Sequence, residues 1–286
     1  MQSWKIEKFS EPGGTTDLPT VTKVTKRVMT DLTIMILFLI IMIGSFVEFY
    51  FSTGSQAQSG IDGIVASISS VVFWTYLAGV LIMFPLKKGA KEALHLIRNK
   101  LWAAVLFIGY LSIHLVIYGV LLELMLATIY QLKLPAGGPP ILIYLTGNYA
   151  YSPHTLLAAL ETISLNPSVS VLFPFELGVV LGPFSIVLAI IIGLLVVGNV
   201  SRLMKISGTV KKLGLSIALP AVGVAGGASC CISIPALLAI ASPAVYSFLI
   251  LPVGILVQNA LYFGLPILVV MVLALNYRSL VTACPT

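Results

Sequence analysis

LTIMILFLIIMIGSFVEFYF, residues 32–51, carries a single charged side chain, Glu48. As a helix it would be about 30 Å long, the thickness of a bilayer's hydrocarbon core. It is too long for the apolar part of a secretory signal, and no small-residue cleavage site follows it. The stretch therefore reads as a retained membrane-spanning helix, and the rest of the chain repeats the pattern. Of 286 residues, 58% are hydrophobic and only 9% charged, against about a quarter charged in soluble domains.

Upstream lies a polar tail, residues 1–31, with Pro12, Gly13 and Gly14 in it. Downstream, apolar runs at 64–86, 101–128 and 175–200 supply three more spans, and the stretch 214–275 is long enough for about three, or for two long, tilted or broken helices. The reading is an all-α polytopic membrane bundle of six transmembrane helices, with seven as the alternative count. The membrane domain covers 32–276 and a short tail covers 277–286. Three spans followed by three would give the inverted arrangement common among transporters, although no residue-level repeat is visible.

Charge sets the orientation. Of the 16 Lys and Arg residues, all but Lys133 fall in the N-terminal tail, the 87–100 connector, the 202–212 connector or at Arg278. The positive-inside rule makes that side cytoplasmic and places the N-terminus there. The formal net charge of +6 comes from these clusters, which is a topology pattern and not one of nucleic-acid binding. The implied location is the cell membrane, with the lipid bilayer as first partner.

Between spans three and four, residues 131–174 hold Pro135, Pro139, Pro140, Pro153, Pro167 and Pro174, so no single helix crosses there. Ser152 and Pro153 make a helix start, and Asn166-Pro167 a stop. A helix over 153–164 is too short to span, so it is expected to lie against the outer face.

The polar groups that carry chemistry are few. Cys230 and Cys231 sit side by side in an apolar stretch flanked by Gly226, Gly227 and Pro235. Paired thiolates are soft ligands suited to Cu(I) or Hg(II), and the glycines and proline loosen the helix around them. The alternative is that both cysteines simply pack as small hydrophobes. Glu123, embedded among leucines and Met125, is the carboxylate best placed to join the thiols at an outward-facing metal site, because intramembrane carboxylates usually face a cavity or bundle interior. Glu48, Glu176, Glu161 and His154 lie near the same outer side. The plain reading of Glu48 and Glu176 is that they rest at the interface, where charge costs little. His114, in the middle of span three, is a candidate ligand or proton carrier, or a hydrogen-bonding group between helices. With three histidines in the chain, haem held by paired axial histidines is disfavoured.

Ser229-Cys230-Cys231, followed by Pro235, Leu237 and Leu238, resembles the first membrane helix of bacterial mercuric-ion transport proteins. In that family a cysteine pair in a helix that starts inside receives the ion from the periplasmic side. The resemblance implies the same role for Cys230 and Cys231. It is confined to this stretch, and the family's second cysteine pair has no counterpart here.

No Walker loop, dinucleotide fingerprint, zinc-protease motif or nucleophile elbow is present, and no acid, base and nucleophile assemble into an enzyme site. Two functions remain. One is transport or hand-over of a small cargo such as a thiophilic metal ion. The other is a non-catalytic subunit packed against other membrane subunits in a respiratory or oxidase-type complex.

Overall fold

The computed structural model describes residues 21–54, 60–129, 142–146, 156–172, 178–206, 247–248 and 251–283. The chain divides into two compact units, Met1–Leu37 and Phe38–Thr286. In the first, the described residues form the start of helix α1 (Val21–Gly54), where Thr33 Oγ1 donates to the Met29 carbonyl at 2.8 Å. The second unit holds the rest of α1 and the elements that follow.

Helices α2 (Gly60–Met83), α3 (Lys87–Asn99), α4 (Leu101–Ser112) and α5 (Tyr118–Ile129) come in sequence, and a π-helical turn, Ile113–Ile117, joins the last two. After a short strand β1 (Leu142–Thr146) come α6 (Leu156–Leu165), β2 (Ser168–Leu172), β3 (Gly178–Leu181) and α7 (Pro183–Ile206). The final run is α8 (Pro252–Asn259), a second π-helical turn (Ala260–Gly264) and α9 (Leu265–Ala283).

Among the described residues, four helical stretches are long and apolar enough to cross a membrane: Met29–Ser52, Ile61–Met83, Pro183–Lys205 and Ala260–Thr282. A fifth is added if the pair Lys87–Asn99 and Leu101–Ile117, bent by 112°, counts as one broken span. The fifth span expected from residue 214 falls outside the described residues.

Helix α7 is the centre of the second unit. Its residues 191–201 are all buried, with Ile191, Ile192, Leu195 and Val196 packed against Leu86, Tyr110, Val269 and Leu273. Basic α3 meets α7 through Gly89, Ala90 and Ala93, whose small size lets two backbones approach closely, while Lys88, Lys91 and Arg98 stay exposed. A second cluster is aromatic: Trp74 lies 4.9 Å from Phe184, which lies 5.3 Å from Tyr262 and 5.1 Å from Phe263.

The expectation of an all-α chain needs correction in the segment before α7. Three strands pair there as an antiparallel sheet in the order β1-β2-β3, with Tyr144 opposite Ser170 and Ser170 opposite Val180. Ser-Val-Ser-Val and Gly-Val-Val-Leu carry the β-branched residues that favour a pleat, and a strand this short gives little periodic signal. The same pairing moves the start of the fourth span. Residues 178–181 are strand, so the helix begins at Pro183 and not at 175. Proline suits the first helical position because its missing N–H has no partner there anyway. A side chain at Gly182, between strand and helix, would clash with the Ser164 carbonyl.

The short helix expected over 153–164 is present as Leu156–Leu165, and it stops before Asn166-Pro167. The carbonyls of a helix's last turn lack partners within the helix. Here α2 supplies them: Ser70 Oγ and Trp74 Nε1 both donate to the Ile163 carbonyl, at 2.6 and 2.9 Å.

Candidate functional site

His114 occupies the first π-helical turn and is fully buried. One residue too many per turn forces that turn open, and such turns recur at functional positions. Tyr110, four residues earlier on α4, places its hydroxyl 2.8 Å from His114 Nδ1, with the two rings 5.4 Å apart. That contact fixes the ring's orientation within an otherwise apolar helix. The second π-helical turn follows buried Asn259 and supplies Tyr262 and Phe263 to the aromatic cluster, against which Leu115 of the first π turn also packs.

The other expected ligands are not brought together by the described residues. Glu123 lies on α5, nine residues beyond His114 along the same helical run, or about 13 Å of helix rise. Glu48 lies on α1 and is exposed. Cys230, Cys231, Glu176 and His154 lie outside the described residues. Among the described residues no three His, Cys, Asp or Glu side chains stand close enough to hold a metal ion. Glu161, on α6, is half-buried, and desolvation pushes its carboxyl above the usual glutamate range.

A polar cluster with four hydrogen bonds to one carboxylate is one the sequence did not single out. It lies at the basic end, where α3, α7 and α9 meet. Glu92 of α3 accepts from Arg202 Nε at 2.9 Å and Nη2 at 2.6 Å, from Lys205 Nζ at 3.2 Å and from the Tyr277 hydroxyl at 2.6 Å. The Arg202 guanidinium also sits 5.9 Å from the centre of the Tyr277 ring, within cation–π range. Burial raises the Glu92 carboxyl, but the bonds from Tyr277, Arg202 and Lys205 and the Arg202 charge outweigh it, leaving the group below its ordinary value.

One turn before Arg202 on α7, Asn199 continues the network. Its Nδ2 donates to the carbonyls of Leu195 at 2.8 Å and Leu273 at 3.0 Å, and its Oδ1 accepts from Asn276 at 2.7 Å. Interhelical amide bonds of this kind fasten helices where apolar packing alone has no direction. Tyr277 itself is held between two glycines. A methyl group at Gly89 would lie 3.3 Å from Cε1 of the ring, and one at Gly198 would lie 3.4 Å from Cε2. This cluster is a structural fastening of three helices. Its members are engaged with one another.

Two signals could have disclosed the cluster. Glu92 is the only acid in the 87–100 connector, and Gly89, Ala90 and Ala93 recur at helical spacing. Comparisons with protein-family models, with curated proteins and with solved structures found no match to the chain.

Proposed function

We propose that this chain is a six-span carrier of the cell membrane, with its N-terminus cytoplasmic, that passes a small thiophilic cargo such as Cu(I) or Hg(II). Cys230, Cys231 and Glu123 are its ligands. The observation that carries the reading is His114: a fully buried, ionisable ring, oriented by Tyr110 and set in a π-helical turn of the helical run that also bears Glu123. Polar groups at membrane depth are costly and mark pathways for ions and protons. The soft-donor chemistry of the adjacent thiols selects the class of ion, and the distribution of Lys and Arg supports the orientation.

A second reading rests on surface. Leu268, Met271 and Leu275 form an exposed apolar stripe on α9, and Ile40, Ile43 and Val47 are exposed on α1. Lipid covers such faces, and so would neighbouring proteins if the chain were a non-catalytic subunit of a larger membrane complex.

The deciding experiment is purification of the full chain in mild detergent, identification of copurifying proteins, and titration with Cu(I) and Hg(II). The wild type is expected to bind a soft ion stoichiometrically. Cys230→Ser with Cys231→Ser should abolish binding with little change in melting temperature, since serine is similar in size. Binding should weaken in acid, where protons compete for thiolate. A wild type that binds neither ion but carries a stoichiometric protein partner would replace the carrier reading with the subunit reading.

A further inference from the structure

A cavity of about 550 Å³ opens at the basic end, between the turn that precedes α3, the start of α3 and the last turns of α9, with Leu195 of α7 in its floor. Its walls are mainly apolar, from Phe84, Leu86, Ala274 and Val281. Three cations, Lys87, Lys88 and Arg278, line it as well, all exposed, and the described lining residues include no carboxylate. Arg278 Nη2 donates to the Pro85 carbonyl at 3.3 Å, which anchors the guanidinium near the turn while its remaining donors stay available for an anion. Glu92, one turn along α3, does not cancel this charge, because Arg202, Lys205 and Tyr277 already engage its carboxylate.

We propose that this cavity binds an anionic phospholipid from the leaflet on the basic side. The argument is complementarity of two kinds in one place. Phosphate suits the Arg278 guanidinium and the Lys88 ammonium, and basic pockets between membrane helices are known headgroup sites. An acyl chain suits the walls, which would give a free inorganic anion nothing. A neutral zwitterionic lipid would fill the walls but bring no net counter-charge to Lys88 and Arg278. The volume lies within the roughly 300–1,000 Å³ of small-molecule pockets, room for a headgroup and the start of one chain. The inference concerns α3 and α9 only and does not depend on which cargo the chain carries.

Native mass spectrometry of the full chain, titrated separately with phosphatidylglycerol and phosphatidylcholine, tests it. Phosphatidylglycerol should bind at one saturable site, and phosphatidylcholine much more weakly. Each cation removed should cost about fivefold in affinity, so Lys88→Gln with Arg278→Gln should lose roughly 25-fold. Thr282→Trp, a change at an exposed cavity-lining position, fills the space without altering charge and should also abolish the site. Equal binding of the two lipids would overturn the proposal. So would phosphatidylglycerol binding that survives Thr282→Trp, which marks diffuse surface attraction, or full displacement by millimolar inorganic phosphate, which marks a site for the free anion.

Discussion

Arg202 of α7 places two nitrogens, Nε and Nη2, on the same carboxylate oxygen of Glu92 on α3, at 2.9 and 2.6 Å. The other oxygen of Glu92 receives Lys205 at 3.2 Å. With Arg202 and Glu92 side chains 13% and 17% exposed, the pair lies between a buried ion pair and a surface one.

Removing Glu92 leaves the Arg202 guanidinium partly buried without its carboxylate, and removing Arg202 leaves Glu92 with only Lys205 and Tyr277. Glu92→Gln and Arg202→Gln are each expected to destabilise the protein by about 2 kcal/mol, between the values for surface and buried pairs. The double variant should cost less than the two single costs combined. Thermal unfolding in one detergent, analysed as a double-mutant cycle, measures the coupling; strict additivity would show that the two residues act independently.

The lowered Glu92 carboxyl gives this stabilisation a pH dependence. Its folded-state value lies below the unfolded one, so the contribution is complete above the unfolded value and disappears as pH falls through the folded value. The melting-temperature advantage of wild type over Glu92→Gln should therefore be constant near neutrality and shrink below about pH 4. A gap that widens in acid would contradict the assigned direction.

Close approach at Tyr277 makes a size-graded prediction. Gly198→Ala adds a methyl at ordinary contact distance from the ring, 3.4 Å, and should shift stability by less than about 1 kcal/mol. Gly198→Leu has no room and should cost about 3 kcal/mol or lower the yield of monodisperse protein. Fluorescence-detected gel filtration of the series reads this directly. Equal yields would mean that α9 can withdraw from α7.

Orientation can be tested by labelling. Ala90, inside the basic connector, is buried against α7, so a cysteine there would be silent on either side of a membrane. Leu94 on the same helix is exposed, as is Ile61 at the start of α2. In a background with Cys230, Cys231 and Cys284 changed to serine, Ile61→Cys should react with an impermeant thiol reagent in intact cells, and Leu94→Cys only after the cells are opened. The reverse pattern would invert the topology.

Apolar runs made much of the architecture legible in advance. Residues 32–51 and 64–86 needed only length and scarcity of charge to mark two helices apolar enough to cross a membrane, and Asn166-Pro167 marked where α6 stops. The basic connector was harder, because its charge drew attention to topology while its Gly89, Ala90 and Ala93 face was already the signature of a packed helix. The strands were harder still: β3 is four residues of Gly-Val-Val-Leu abutting a long apolar helix, and local composition could not separate the two. Least legible was the partnership of Glu92, whose ligands stand 110 residues away at Arg202 and 185 away at Tyr277. Only tertiary packing joins them. His114 was visible as a polar group in an apolar run, but its π-helical turn was not, since a turn with one extra residue has no compositional mark.

That extra residue has a geometric effect on everything after it. Each residue of α-helix advances about 100° around the axis, so the turn at Ile113–Ile117 offsets the azimuth of α5 from that of α4 by about the same angle. Deleting one position there, Val116 for instance, would restore an unbroken helix and turn α5 by about a quarter-turn relative to α4 without changing the sequence of α5. The azimuth of α5 is thus encoded by chain length at one place, separately from the residues that seat α4 against α7.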